Sequence, residues 1–282
     1  HPRLASVLID LALVFEHRGR IDEGIALRRE VLATALRRFG ADSAEVRNQR
    51  AFLGAVLRVA ERYPEAEVEL RAAIRLEQSS AEVAGEHAVS GSMLDLATLL
   101  TKTGRAAEAV GILEQRLQRM LSRGPAAATY EVDLTRLQLA RTLIEVGDAA
   151  SLAEARRQAE LTGDGAVSAG EGRSRHDVLP VFVLAQVDLA EGRLADARRR
   201  AEEALAIWKR SGREASTAAG EGRLLLGEAL AGLGETAAAR ESLQAAFELL
   251  FRRVGGDDPR TVRARELLER LDLPARRELP AG

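Results

Sequence analysis

LALVFEHRGRIDEGIALRREVL, from Leu11 to Leu32, is the stretch from which the whole chain can be read. Leu8, Leu11, Ala12 and Phe15 fall on one face of a helix, and Gly19 supplies a residue that tolerates left-handed backbone. Gly24, Leu27, Val31 and Leu32 then mark one face of a second helix, with Ala12 and Gly24 small where the two should touch. The pattern recurs. Leu11-Ala12 is matched by Leu53-Gly54, Leu96-Ala97, Leu139-Ala140, Leu184-Ala185 and Leu226-Gly227, at intervals of 42, 43, 43, 45 and 42 residues by subtraction of those numbers. A repeat of this length made of two helical segments is a stack of hairpins, none of which can bury its apolar face alone.

Outward from this stretch, the spacing predicts six helical pairs at about 3–40, 42–78, 80–122, 126–162, 174–211 and 215–253, and a cap helix at 259–271. Glycine closes the turn inside five pairs, at Gly19, Gly104, Gly147, Gly192 and Gly234, while Tyr63-Pro64 is expected to make it in the second. Asp42 with Glu45, and Ser79 with Glu82, read as capping boxes that answer orphan amides at helix starts. Asp258 reads as an N-cap and Pro259 as a first helical residue. The fourth pair is the least regular. Leu152, Ala155 and Ala159 fit the template only approximately, and Gly163, Gly165, Gly170 and Gly172 suggest a loop behind them, so this segment is expected to be the softest.

Composition agrees with an all-α chain: 46% of residues are hydrophobic but only 3% aromatic, and helix formers dominate. Because every hairpin packs only on its neighbours, residues 1–282 are expected to form a single repeat domain. A net charge of -2 with 30% charged residues lacks the basic excess of a nucleic-acid binder. Cysteine is absent, which removes disulfides, thiolate nucleophiles and cysteine-based zinc sites and makes the cytoplasm the default compartment. No window reads as a membrane span or a signal peptide. The opening His1-Pro2-Arg3, without methionine, reads as part of a longer protein.

Leu-Ala at the centre of the first helix, a large residue four later, glycine at the turn, alanine opening the second helix and Ala-Leu near its end resemble the tetratricopeptide repeat over about Leu4 to Leu250. The usual period is ~34 residues; the longer intervals here are similar to the kinesin-light-chain-type variant. Gly40-Ala-Asp42, Gly256-Asp-Asp-Pro259 and His1-Pro2 look like whole or partial copies of its Gly-x-x-His-Pro linker. The resemblance implies a right-handed α-solenoid of six hairpins that binds a protein or peptide along its concave side. The asparagine pair that this variant carries before the central Leu-Ala is replaced here by Ile9-Asp10, Ala51-Phe52, Leu94-Asp95, Leu137-Gln138, Phe182-Val183 and Leu224-Leu225. Among bacterial relatives such arrays often follow a serine/threonine kinase or a signalling ATPase.

Catalytic chemistry finds no footing in the sequence. His1, His17, His87 and His176 are scattered, and Gly170-x-Gly172 and Gly220-x-Gly222 lack the strand and the Lys-Ser/Thr of a phosphate loop. Kinase signatures are absent. No cofactor, metal or catalytic residue is assigned. The runs Arg156-Arg157, Arg198 to Arg200 and Arg252-Arg253 read as solvated, helix-paired faces, and Arg50, Arg136 and Arg223, each three before a central Leu, as salt bridges to a neighbouring hairpin.

In this repeat the first helices line the concave wall. Helical spacing about the central Leu then nominates Ile9, Leu13, Asn48, Arg58, Leu94, Lys102, Leu137, Arg141, Phe182 and Gln186 as partner-facing, with the apolar positions two before the Leu equally readable as core. The expected function is a non-catalytic protein- or peptide-binding scaffold or regulatory module, with no nucleic-acid or membrane partner. The alternative is a small-molecule or autoregulatory sensor, self-associating or touching an upstream catalytic domain.

Overall fold

A computed structural model describes residues 8, 11–15, 18–79, 91–122, 129–166 and 178–272, and its described elements are all helices. Residues 11–15 are helical (α1); then come α2 (Ile21–Phe39), α3 (Ala44–Val59), α4 (Tyr63–Ser79), α5 (Gly91–Lys102), α6 (Ala106–Leu121) and α7 (Thr129–Val146). They are followed by α8 (Ala149–Ala166), α9 (Val178–Ala190), α10 (Leu194–Arg210), α11 (Thr217–Gly232), α12 (Thr236–Val254) and α13 (Pro259–Asp272). Contacts gather into two compact units, His1–Glu145 and Val146–Gly282. Within each, a hairpin packs on itself and on the next: α3 on α4, α4 on α5 in the first; α9 on α10, α10 on α11, α11 on α12 in the second.

The hairpin turn is specified by backbone chemistry. In five copies the amide two residues past the last helical turn bonds back to the carbonyl of the residue four after the central Leu: Arg20 to Phe15, Arg62 to Leu57, Arg105 to Leu100, Arg193 to Asp188 and Glu235 to Leu230, at 2.8–2.9 Å. This ring closes only if an intervening residue takes positive φ. Gly19, Gly104, Gly192 and Gly234 do so at 74–79°. In the second copy the residue is Glu61, at φ 58°, and Tyr63-Pro64 instead opens α4, where proline loses no helical bond.

Glycine at the helix contact has a different cause. A Cβ built at Gly54 would lie 2.7 Å from Leu70 Cγ, and one at Gly227 2.5 Å from Leu243 Cγ. Leu70 and Leu243 are fully buried, so they occupy the space that a side chain would need. Ala12, Ala97, Ala140 and Ala185 stand at the same place in the other copies and are likewise fully buried. In the second unit the core is completed by Trp208, which meets Phe182 edge-on with ring centroids 5.3 Å apart.

Several local expectations shift. Ser43, not Asp42, caps α3, accepting from Val46 N at 3.3 Å, and Glu45 accepts instead from Gln49 Nε2 at 2.7 Å. Ser79 is the last residue of α4, its hydroxyl donating to the Leu76 carbonyl at 3.2 Å; Glu82, the other half of the expected capping box, lies outside the described residues. Helix α8 continues through Gly163 and Gly165 to Ala166, past the expected end at 162, while Gly170 and Gly172 lie outside the described residues. Asp258 does cap α13, accepting from Arg260 N at 3.0 Å, with Pro259 as first residue.

Helix α13 repeats the first helix of a pair. Its cap Asp258 follows Ser216, the cap of α11, by 42 residues, and Leu268 follows Leu226 by the same 42, by subtraction. Thr261 and Ala264 are fully buried, as the inner face of such a helix requires, and α13 packs on α12 and α11.

Candidate partner-binding walls and an arginine cluster on a buried aspartate

Within the unit of residues 1–145, the nominated wall residues divide by exposure. Leu13, Asn48, Lys102 and Arg141 are exposed, Arg58 and Leu94 are half-buried, and Leu137 is buried. Ile9 lies outside the described residues. Arg58 of α3 donates from Nε to Asp95 Oδ1 of α5 at 2.9 Å, and Thr101 Oγ1 meets Thr142 Oγ1 at 3.3 Å, so polar contacts join consecutive first helices. Burial pushes the Asp95 carboxyl above its ordinary value, with the Arg58 charge and hydrogen bond opposing it. Asp95 was legible only as a departure from the asparagine pattern; its signal is a carboxylate 37 residues after an arginine, close to one repeat length. Phe52, at the matching position of α3, is exposed, and Arg28 lies over its ring at 5.6 Å.

In the unit of residues 146–282, Phe182 is buried against Trp208 and so belongs to the packing that holds the helices together. Gln186 is half-buried, and its Oε1 has no hydrogen bond among the described residues. The position two before the central Leu is therefore core in Leu137, Phe182 and Leu224, and only half-buried in Ala51 and Leu94.

The largest departure from the repeat lies in α9. Four residues after the central Leu the other copies carry Phe15, Leu57, Leu100, Leu143 and Leu230; the fifth carries Asp188, which is 0% exposed. Its Oδ1 accepts from Arg156 Nη2 at 2.5 Å and Arg193 Nε at 3.0 Å, and its Oδ2 from Arg200 Nη1. Glu191 joins by pairing with Arg156 at 2.8 Å and with Arg193. A lone buried carboxylate would cost several kcal/mol of desolvation; multiple guanidinium partners offset that cost. The arginine runs are thus only partly solvated faces. Arg157 with Glu154, Arg198 with Glu202 and Arg199 with Asp196 are helix pairs as expected, whereas Arg156 and Arg200 reach inward to Asp188. Arg252 and Arg253 donate to backbone carbonyls of Glu248 and Ala215.

Arg50 binds Glu69 at 2.6 Å inside its own hairpin, and Arg223 donates to the Glu214 carbonyl at 3.2 Å, so neither bridges to a neighbouring hairpin through a carboxylate. The bridging is done elsewhere. Arg29–Glu65 and Arg71–Glu108 join consecutive second helices, Arg105 reaches Glu67 at 2.8 Å, and Arg198 reaches Glu235 at 2.7 Å.

Among the described residues no group of three His, Cys, Asp or Glu side chains is placed to hold a metal ion, and no helix is long and apolar enough to cross a membrane. Paired helices, small contact residues and a repeated turn define the class: a TPR-like helical repeat fold. No protein-family model matches the chain, and no curated protein matches it. Solved structures do. The TPR-like repeats of a kinesin light chain from Podosopora anserina superpose with TM-score 0.65 at 19% identity, covering 76% of this chain and 98% of that one. BtubC from P. vanneervenii gives 0.64 at 16%, covering 83% and 92%. A signal transduction ATPase with a tetratricopeptide repeat sensor from Pyrococcus horikoshii gives 0.63 at 12%, covering 95% of this chain but 42% of that one. At these identities the likeness is one of fold.

Proposed function

We propose that the chain is a non-catalytic protein- or peptide-binding module, a scaffold or regulatory element that engages its partner along the wall formed by first helices. The observation carrying this reading is that the stacking positions stay alike between copies while a wall position differs: two after the central Leu stand Leu13, Ala55, Thr98, Arg141, Gln186 and Glu228. Variable chemistry on a constant frame suits recognition of one extended or helical segment. In the unit of residues 1–145, Ile9, Leu13, Asn48, Arg58, Leu94, Lys102, Leu137 and Arg141 remain the proposed wall, with Leu137 acting from beneath it; in the unit of residues 146–282, Phe182 and Gln186 remain the proposed counterpart positions, Phe182 from beneath. The absence of cysteine supports work in the cytoplasm.

A second reading makes the array a sensor coupled to a signalling enzyme. The likeness to the sensor-bearing ATPase favours keeping it, because that protein's repeats are named as a sensor.

Site-specific photo-crosslinking distinguishes these readings. A crosslinker at Leu13 or Lys102 is expected to capture the partner when one placed at Glu30, an exposed residue of α2, does not. Equal capture from Glu30 would overturn the wall as the site, and a small molecule retained through purification would favour the sensor.

A further inference from the structure

An open cleft of about 400 Å³ in the unit of residues 146–282 is lined by Gly212, Arg213, Ala215, Ser216, Thr217 and Arg253. It lies where the α10–α11 linker passes the end of α12, and none of the nominated wall residues lines it. Its cations lack the carboxylate partners that other arginines of the unit have. Arg198, Arg199, Arg240 and Arg260 all meet carboxylates. The Arg213 guanidinium, by contrast, has no ion pair or hydrogen bond among the described residues, and neither have the ammonium and guanidinium of exposed Lys209 and Arg210. Arg253 donates from Nε to the Ala215 carbonyl at 2.9 Å, which braces the linker and leaves its two terminal nitrogens.

Comparison of linkers shows what is missing. The residue just before the helix cap is Asp42 before Ser43 and Asp257 before Asp258, but Ala215 before Ser216. The acid of this linker, Glu214, stands one residue earlier, is exposed, and is not among the residues that line the cleft. Basic residues in the last turns of α10 and α12 answer the helix C-termini. Arg213 lies beyond the helix, so that explanation does not cover it. Ser216 Oγ accepts from Ala219 N at 3.2 Å and keeps its own hydrogen to donate, and the Thr217 hydroxyl has no hydrogen bond among the described residues.

We infer that this cleft binds a phosphoryl group carried by a phosphorylated peptide. Two guanidinium groups and two hydroxyls present more donors than the two oxygens of one carboxylate can use, whereas a phosphoryl group offers three acceptor oxygens and close to two charges. The peptide as bearer rests on the protein-binding reading above; the phosphoryl chemistry does not.

Fluorescence anisotropy with a fluorescein-labelled heptapeptide, one phosphoserine among glycine and alanine, tests it on the full chain. The phosphopeptide is expected to bind saturably and the serine version roughly tenfold more weakly. Arg213→Gln should weaken the phosphopeptide by roughly tenfold. Arg265→Gln, at an exposed arginine of α13 without an ion pair among the described residues, should leave it unchanged. Amide shifts of Gly212 and Thr217 on titration fix the location independently of any variant. Equal loss in the two variants, equal binding of the serine peptide, or amide shifts elsewhere would each overturn the site. Inorganic phosphate binding as tightly as the phosphopeptide would overturn the peptide as bearer. Arg141→Glu, at a wall position, is expected not to change this binding, so a failure of the wall reading is seen separately.

Discussion

Arg156 Nη2 lies 2.5 Å from Asp188 Oδ1, tying α8 to α9 through a carboxylate that solvent does not reach. Removing the charge leaves Arg156, Arg193 and Arg200 facing a neutral group. Asp188→Asn is expected to cost about 3–5 kcal/mol, read from urea unfolding together with faster hydrogen exchange in α9 and α10. Asp188→Leu matches the template of the other copies yet strands the same arginines, so it should be destabilising alone and milder when Arg156 and Arg200 are made leucine as well. A silent Asp188→Asn would show that the cluster contributes nothing.

Glu61 holds a positive φ of 58° where the five other copies have glycine. A side chain in left-handed backbone costs roughly 1–2 kcal/mol, so Glu61→Gly should stabilise the protein by about 1 kcal/mol once the extra freedom of the unfolded chain is allowed for. Gly104→Ala, at φ 76°, should lose a similar amount. Thermal melts of both variants check the sign.

Gly227 and Leu243 are coupled by the space they share. A methyl at Gly227 would lie 2.5 Å from Leu243 Cγ, so Gly227→Ala should cost about 1–3 kcal/mol. Combined with Leu243→Ala the total loss should fall short of the two single losses added together. A double-mutant cycle giving simple additivity would show that the helices part without strain.

The surface bridges predict an acid response. Burial pushes the Glu67 carboxyl up, but hydrogen bonds and charges from Arg105 and Arg71 outweigh it and hold it below its ordinary 4.5. Glu108 is held low first by the Arg71 hydrogen bond, against a smaller opposing effect of burial. Groups with depressed folded values stabilise the fold above 4.5 and lose that contribution as pH falls through the folded values. Unfolding midpoints at about pH 7 and about pH 3.5 should differ less in an Arg71→Ala, Arg105→Ala variant than in the parent.

How far the sequence carried depends on what enforced each feature. Gly19, Gly104 and Gly234 announce their turns because left-handed backbone leaves few alternatives, and Gly227 marks a contact because no larger residue fits. The repeat and all six pairs were therefore readable. The Asp42 cap was misplaced by one residue, since Ser43 and Asp42 are chemically alike as caps and only backbone direction chooses between them. Asp188 was missed for another reason: its partners Arg156 and Arg200 lie 32 residues before and 12 after it, and a one-dimensional reading assigns arginines to their nearest acids. The proposed wall rests on a register, and a register carries no depth: Leu137 and Leu94 share one while only the first is buried.

Helix α13 follows the register of α11 up to Leu268, and the next residue, where α11 has Gly227, is Glu269, exposed. Every complete hairpin presents alanine or glycine there, since its second helix presses on that spot. A further helix laid on α13 in the same way would have to enclose the Glu269 carboxylate without a partner, at a cost of several kcal/mol. One side chain thus acts as a punctuation mark against elongation. Replacing it with alanine would make that face of α13 a site onto which another copy's hairpin could stack.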